Sequence, residues 1–169
     1  MLDRITTAQI HCYLSNIKWE LFHQFADEFM GVKVEQVQAD LNTLQIQNTY
    51  SVLRARRLTL KPEGLPWDID LSLSFFRKSV PYDNWLGVQF ARDICLATGA
   101  QSFCDIPAEV GMPSIEYYWQ LSFFQAPNDE LVSEIVQLQE LDDQHFIEVE
   151  SKLVDLRNYE LFQTEIPYK

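Results

Sequence analysis

Glycine is scarce in this chain. There are five in 169 residues, at positions 31, 64, 87, 99 and 111, and no two lie within ten residues of each other. Loops that cradle phosphate need clustered glycines, so that backbone N–H groups can close on the anion. This spacing excludes a P-loop and a dinucleotide fingerprint. The chain has no G-x-S-x-G elbow, no H-E-x-x-H and no C-x-x-C pair. The sequence signatures of serine hydrolases of that type, zinc proteases and redox or zinc cysteine pairs are therefore missing. Cysteine is sparse and odd in number, at Cys12, Cys95 and Cys104. That is not a disulfide framework, and it points to a reducing compartment. The three read as small buried apolar residues; the alternative is a Cys95–Cys104 bridge, if a helix runs straight into the next strand. No stretch approaches the ~20 apolar residues of a membrane span. The first residues lack the basic segment and apolar run of a secretory signal. The expectation is a cytoplasmic protein without a membrane segment.

Positive charge is the other shortage. The chain carries 13 Lys and Arg against 25 Asp and Glu, a formal net charge of −12. Binding nucleic acid by phosphate neutralisation needs a cationic face, so that class is disfavoured. With 47% hydrophobic residues, the chain is too apolar for a disordered acidic tail. Its length fits a single domain over residues 1–169 with a sizeable core.

The periodicity predicts an α+β fold: an antiparallel or mixed sheet of five to seven strands with two or three helices. Ile10, Cys12 and Leu14 alternate with His11 and Tyr13, which reads as a strand. Ser15-Asn16 offers an N-cap to a helix carrying Trp19, Phe22, Phe25, Ala26, Phe29 and Met30, with Gly31 as its stop. Val32 and Val34 suggest a short strand. Residues 45–60 read as one long strand or a hairpin limb, with Arg54 and Arg56 on one face and Arg57 on the other. Lys61 to Pro66 reads as a turn. Trp67–Phe76 alternates Ile69, Leu71, Leu73 and Phe75 against Asp68, Asp70, Ser72 and Ser74, a half-buried strand. A second helix, capped by Asp83 or Asn84, carries Leu86, Phe90, Ala91, Ile94 and Cys95 inward and ends at Gly99. Gln101–Ile106 and Ile115–Phe124 read as strands, the second with Tyr118 and Phe124 opposite Trp119. After Pro127, Asn128 offers a cap to a third helix with Leu131, Ile135 and Leu138 inward. His145–Leu156 could be strand or helix, and its alternation of Ile147, Val149, Ser151 and Leu153 favours strand; Arg157–Lys169 reads as coil, with a short strand as the alternative. Gln-Phe-Ala occurs mid-helix at 24–26 and 89–91. This suggests two β-α-β pseudo-halves, 1–62 and 63–169, joined in one sheet with helices on one face.

The charge map is lopsided. No Lys or Arg lies between Arg92 and Lys152, a gap that holds twelve acidic residues: Asp93, Asp105, Glu109, Glu116, Asp129, Glu130, Glu134, Glu140, Asp142, Asp143, Glu148 and Glu150. Uncompensated carboxylates destabilise a compact state by mutual repulsion. A surface that meets a cationic partner gives them a use, since complementary charge speeds association and selects the partner. On the third helix, Asp129 and Glu130 would sit in the first turn and Glu130, Glu134 and Gln137 on the outer side. The candidate partner-binding residues are Glu116, Asp129, Glu130, Glu134, Glu140, Asp142 and Asp143. Arg54, Arg56, Arg57 and Lys61 form the basic cluster, read as a solvated sheet edge or counter-charge rather than an anion site. His11, His23 and His145 lack zinc-site spacing and read as ordinary histidines. No catalytic residue, metal site or cofactor is assigned.

The segment from Asp83 to Asp105, a helix then a strand, together with the acidic charge and the lack of catalytic motifs, resembles bacterial immunity proteins of contact-dependent and other secreted-toxin systems. The resemblance implies a non-catalytic inhibitor whose acidic surface plugs a basic, nuclease-like toxin. Two alternatives stand beside it. One is a small metal-dependent hydrolase, in which Asp68 and Asp70 share a divalent cation with a loop carboxylate such as Asp83, Asp105 or Glu109. The other is a self-assembling accessory or phage-derived protein.

Overall fold

A computed structural model describes residues 8–31, 42–49, 51–58, 67–76, 84–110, 118–142 and 145–163. The elements run β1 (Ala8–Ser15), α1 (Trp19–Met30), β2 (Thr43–Gln47), β3 (Ser51–Arg57), β4 (Trp67–Phe75), α2 (Asn84–Thr98), β5 (Gln101–Cys104), β6 (Tyr118–Gln125), β7 (Leu131–Asp142), β8 (His145–Leu153) and the single turn α3 (Glu160–Gln163). The strands form one sheet in the order β2-β3-β4-β1-β5-β6-β7-β8. Every neighbouring pair is antiparallel.

The α+β class stands, but the sheet has eight strands among the described residues rather than five to seven. β4 and β5 both flank β1 antiparallel to it, so they run parallel to each other. Such a pair needs a crossover, and α2 supplies it. β4, which begins beyond residue 63, lies between β3 and β1.

Both long helices cover one face. Ile10, Cys12, Leu14, Leu53, Ala55, Ile69, Leu71, Leu73, Leu121 and Phe123 point to that side and share one core with Phe22, Ala26 and Met30 of α1 and Val88, Phe90, Ala91 and Ile94 of α2. The period-2 and period-3.6 patterns thus meet in a single interior. Along α1 the rings stack in sequence, Trp19–Phe22 at 5.7 Å and Phe25–Phe29 at 5.4 Å, and the row reaches α2 through Phe29–Phe90 at 5.5 Å. Gly31 ends α1 at φ 63°, with its N–H bonded to Asp27 O at 3.2 Å. Gly87 lies where α2 approaches β1: a Cβ there would stand 3.0 Å from Ile10 Cγ2.

The start of α1 differs from the expected cap. Asn16 takes φ 62° and donates its N–H to Asp68 Oδ2 at 2.7 Å. The N-cap position falls to Lys18, which makes no side-chain capping bond. Ser15-Asn16 turns the chain out of β1 instead of capping.

The segment after Pro127 is the main correction. It is strand β7, not a third helix. Ala126 N–H bonds Glu130 O and Asp129 N–H bonds Ala126 O, both at 2.9 Å, with Asp129 at φ 63°. This is a three-residue hairpin loop in which proline takes the second place of a tight turn and aspartate the left-handed place. Asn128 Oδ1 accepts from Glu130 N–H at 3.2 Å, so its side chain braces the turn rather than a helix. Beyond it, Leu131 and Ile135 pack against the main core, while Val136 and Leu138 join Trp67 and Phe103 on the opposite face. A strand apolar on both sides imitates helical spacing.

Residues after Arg157 also differ from expectation, since α3 is a helical turn. Val32, Val34, Lys61 to Pro66 and Asp83 lie outside the described residues. No described helix is long and apolar enough to cross a membrane.

Candidate functional site

The face of the sheet away from the helices carries a charged cluster where β3, β4 and β1 adjoin. The registers Arg56↔Asp70, Arg54↔Ser72 and His11↔Ser72 align these side chains. His11 Nε2 bonds Asp70 Oδ1. An ionised carboxylate only accepts, so the imidazole N–H donates. Arg56 Nη2 donates to the other oxygen, Asp70 Oδ2, at 3.0 Å, and Arg54 Nε donates to Gln45 Oε1 at 3.1 Å. As expected, Arg54 and Arg56 share this face, and Arg57 lines a recess on the other side of the strand.

The electrostatics follow from the contacts. The hydrogen bond to Asp70 raises the His11 pKa above 6.5; burial pulls it down, and the charges of Asp70 and Asp105 add to the rise. Burial pushes Asp70 up, but the His11 bond and the charges of His11 and Arg56 outweigh it, and its pKa lies below 3.8. Beside this cluster Tyr13 stacks on Trp67 with centroids 4.0 Å apart and planes 8° from parallel. Trp67 in turn meets Phe103 edge-on at 6.1 Å.

Chemically, the cluster is an ion-pair network in which one carboxylate accepts from an imidazole and a guanidinium. Ser72 faces His11 across the strands, but the backbone N–H groups around it belong to the sheet ladder. Sequence reasoning assigned His11 no role. The only available signal was its place on the wet face of one alternating strand, with Asp70 on the wet face of another.

Asp68 and Asp70 do not sit as equivalent neighbours. Leu14 pairs with Ile69 and Ser15 with Trp67, so Asp68 is the extra residue at a bulge in β4. Its carboxylate turns to Asn16 N–H while Asp70 is held by His11 and Arg56. Asp105 joins Asp70 near His11, whereas Glu109 contributes its backbone oxygen to Tyr159 Oη at 3.3 Å. Among the described residues, no group of three or more His, Cys, Asp or Glu is placed to hold a metal ion.

A recess of about 720 Å³ opens at the start of α1, between Lys18, Trp19 and Glu20 on one side and Asn42, Arg57 and Asp68 on the other. Its lining mixes both charge signs.

The second charged region is the outer ribbon of β7 and β8. Asp129 and Glu130 are exposed in the hairpin loop that opens it, and Glu134 is half-buried. Glu140 and Asp142 lie in the far half of β7, and Glu148 and Glu150 in β8. The helical arrangement expected for Asp129, Glu130, Glu134 and Gln137 is overturned, since the segment is a strand. At ~3.3 Å per residue, Asp142 stands about 40 Å along the strand from Asp129, where a helix would put it about 20 Å away. Glu134 and Gln137 fall on opposite faces. Glu116 and Asp143 lie outside the described residues.

The cysteines are free and buried. Cys12 and Cys104 are register partners on β1 and β5. Burial pushes the Cys95 thiol up to about 11, and those of Cys12 and Cys104 further.

No family model, curated protein or solved structure matches the chain.

Proposed function

We propose that the chain is a non-catalytic protein-binding inhibitor of the immunity type, meeting a basic, nuclease-like toxin domain through the carboxylates of the β7–β8 ribbon. The observation that carries this reading is the composition of that ribbon. From Ala126 to Leu153 the sequence holds Asp129, Glu130, Glu134, Glu140, Asp142, Asp143, Glu148 and Glu150, against Lys152 as the one Lys or Arg. The ribbon lies at one end of the described strand order, and a basic partner would relieve the repulsion among its carboxylates. The self-neutralised His11–Asp70–Arg56 network supports a binding role over a hydrolytic one. Both Asp70 oxygens are taken by protein donors, which leaves the Asp68–Asp70 pair poorly arranged to share a cation.

The reading expects a neighbouring open reading frame that encodes a basic C-terminal domain, and the test is to look for one and co-express its product with this chain. The expected result is loss of that domain's toxicity, and recovery of toxicity with a D129K/E130K/E134K variant that still folds. Charge reversal at a desolvated contact should cost about 2–5 kcal/mol, and at the rim should mainly slow association. Protection unaffected by the triple reversal and by salt would overturn the assignment.

A further inference from the structure

β8 is the last strand in the order of the described sheet. Val154 N–H bonds Ser133 O at 3.0 Å, and the ladder continues through Leu153↔Glu134, Lys152↔Ile135, Ser151↔Val136 and Glu150↔Gln137. In an antiparallel ladder the backbone groups of successive residues alternate between the two sides. With Val154 turned to β7, so are Lys152 and Glu150. The N–H and C=O of Ser151 and Leu153 therefore point away from the sheet. Among the described residues no strand lies beyond β8. Leu153 is 70% exposed, the most of any large apolar side chain described, and Glu150, Ser151 and Lys152 are exposed. After Val154 the chain turns inward, and Leu156 and Phe162 pack into the main core, so the described tail leaves this edge open.

We propose that this edge pairs with a second copy of the chain, antiparallel, about a two-fold axis at Ser151. In that register Ser151 and Ser151 of the other copy exchange both outward N–H···O=C bonds. Glu150 of each copy then lies directly opposite Lys152 of the other, on the same face, in the closer, non-hydrogen-bonded pairing. The one Lys of the ribbon thus stands where a self-pairing strand needs it. A two-fold perpendicular to the sheet keeps the helices of both copies on one side and closes the contact, as a self-complementary interface does. The irregularity at Val149, the extra residue between Glu148 and Glu150, limits the regular stretch to Glu150–Leu153. A contact this short belongs with weak, concentration-dependent dimers.

Charge gives the pairing a signature. Two copies of net charge −12 repel through solvent, and added salt screens that repulsion over distances beyond ~8 Å at physiological strength. Dimerisation should strengthen between 0.02 and 0.3 M salt, the reverse of binding to a basic partner.

The test is sedimentation velocity on the full chain over a concentration series at both salt levels. The expected result is a monomer–dimer equilibrium that S151P abolishes. Proline at 151 removes an N–H directed outward, so the internal ladder is kept. K152E should weaken the dimer by about tenfold or more by placing like charges opposite each other. The E150K/K152E exchange should restore it, because the swapped charges again face each other. A monomer at every concentration and salt level would overturn the proposal. So would a dimer indifferent to S151P, or one that the double exchange weakens as much as K152E does.

Discussion

His11 and Asp70 are 59 residues apart in the chain and joined by a hydrogen bond across β1 and β4, with Arg56 of β3 completing the link on the second carboxylate oxygen. Three strands at the centre of one half of the sheet are tied on their outer face by a single carboxylate. The tie works only while the imidazole can donate.

Stability should therefore depend on pH through His11. Its folded pKa lies above the unfolded 6.5, so its contribution is complete below pH 6.5 and is lost as pH rises through the folded value. Asp70 acts in the other direction: its folded pKa lies below 3.8, and its share is present above that value and lost as pH falls through the folded one. The His11 side chain is 45% exposed, so solvent screening holds its share to about 1 kcal/mol or less. Urea unfolding from pH 6 to pH 9 should show a decline that H11Q removes. A histidine resonance titrating at or below 6.5 for His11 would contradict the geometry.

The hairpin loop offers a second check. Asp129 holds φ 63°, a conformation that costs a non-glycine residue energy, less for aspartate than for most. D129G should stabilise the protein by up to about 1 kcal/mol. In a helix the same change would remove a favourable first-turn acid and destabilise. Thermal melts of D129G separate these cases, while N128A, which breaks the Asn128–Glu130 brace, should lower stability by about 1 kcal/mol.

Much of the fold was legible because each of the well-read elements buries one face. α1 and α2 show their apolar stripes, and Ile69, Leu71, Leu73 and Phe75 alternate cleanly since the Asp70 side of β4 is wet. β7 was misread because it is apolar on both sides, and because Pro-Asn-Asp serves a turn as well as a cap. The His11–Asp70–Arg56 cluster was not legible, since strand order decides which wet faces meet. Nothing local in 8–15 or 67–75 states that β4 lies between β1 and β3. The acidic ribbon was visible as composition but not as geometry, for the same reason that β7 was.

Thiol chemistry checks the helix-side core. Cys12 and Cys104 are register partners and Cys95 lies in α2, all buried. With Cys95 pushed up to about 11 and the others higher, little reactive thiolate exists at pH 8. A disulfide-exchange dye should titrate no thiol in the native protein and three in denaturant. Rapid native labelling of any one would show that the core opens at that point.

α3 gives the last prediction. A helix of four residues is too short to hold itself, so its place must come from side chains. Phe162 stacks on Phe123 at 6.1 Å with planes 9° apart, and Arg92 lies 5.2 Å over the Phe162 ring while donating through Nη1 to Phe162 O. Arg92 Nε also bonds Asp93 Oδ1 at 2.8 Å, which fixes the guanidinium plane. F162A removes the stack and the cation–π contact together and should cost about 2–4 kcal/mol, somewhat less than a fully buried phenylalanine because Phe162 is half-buried. R92K keeps the charge but loses the planar fork that serves ring, carbonyl and carboxylate at once, and should cost about half as much. Hydrogen exchange distinguishes local release from global loss. In F162A the amides of 159–163 should exchange freely while those of β6 remain protected, and uniform deprotection across the sheet would mean that α3 is integral to the fold rather than clamped onto it.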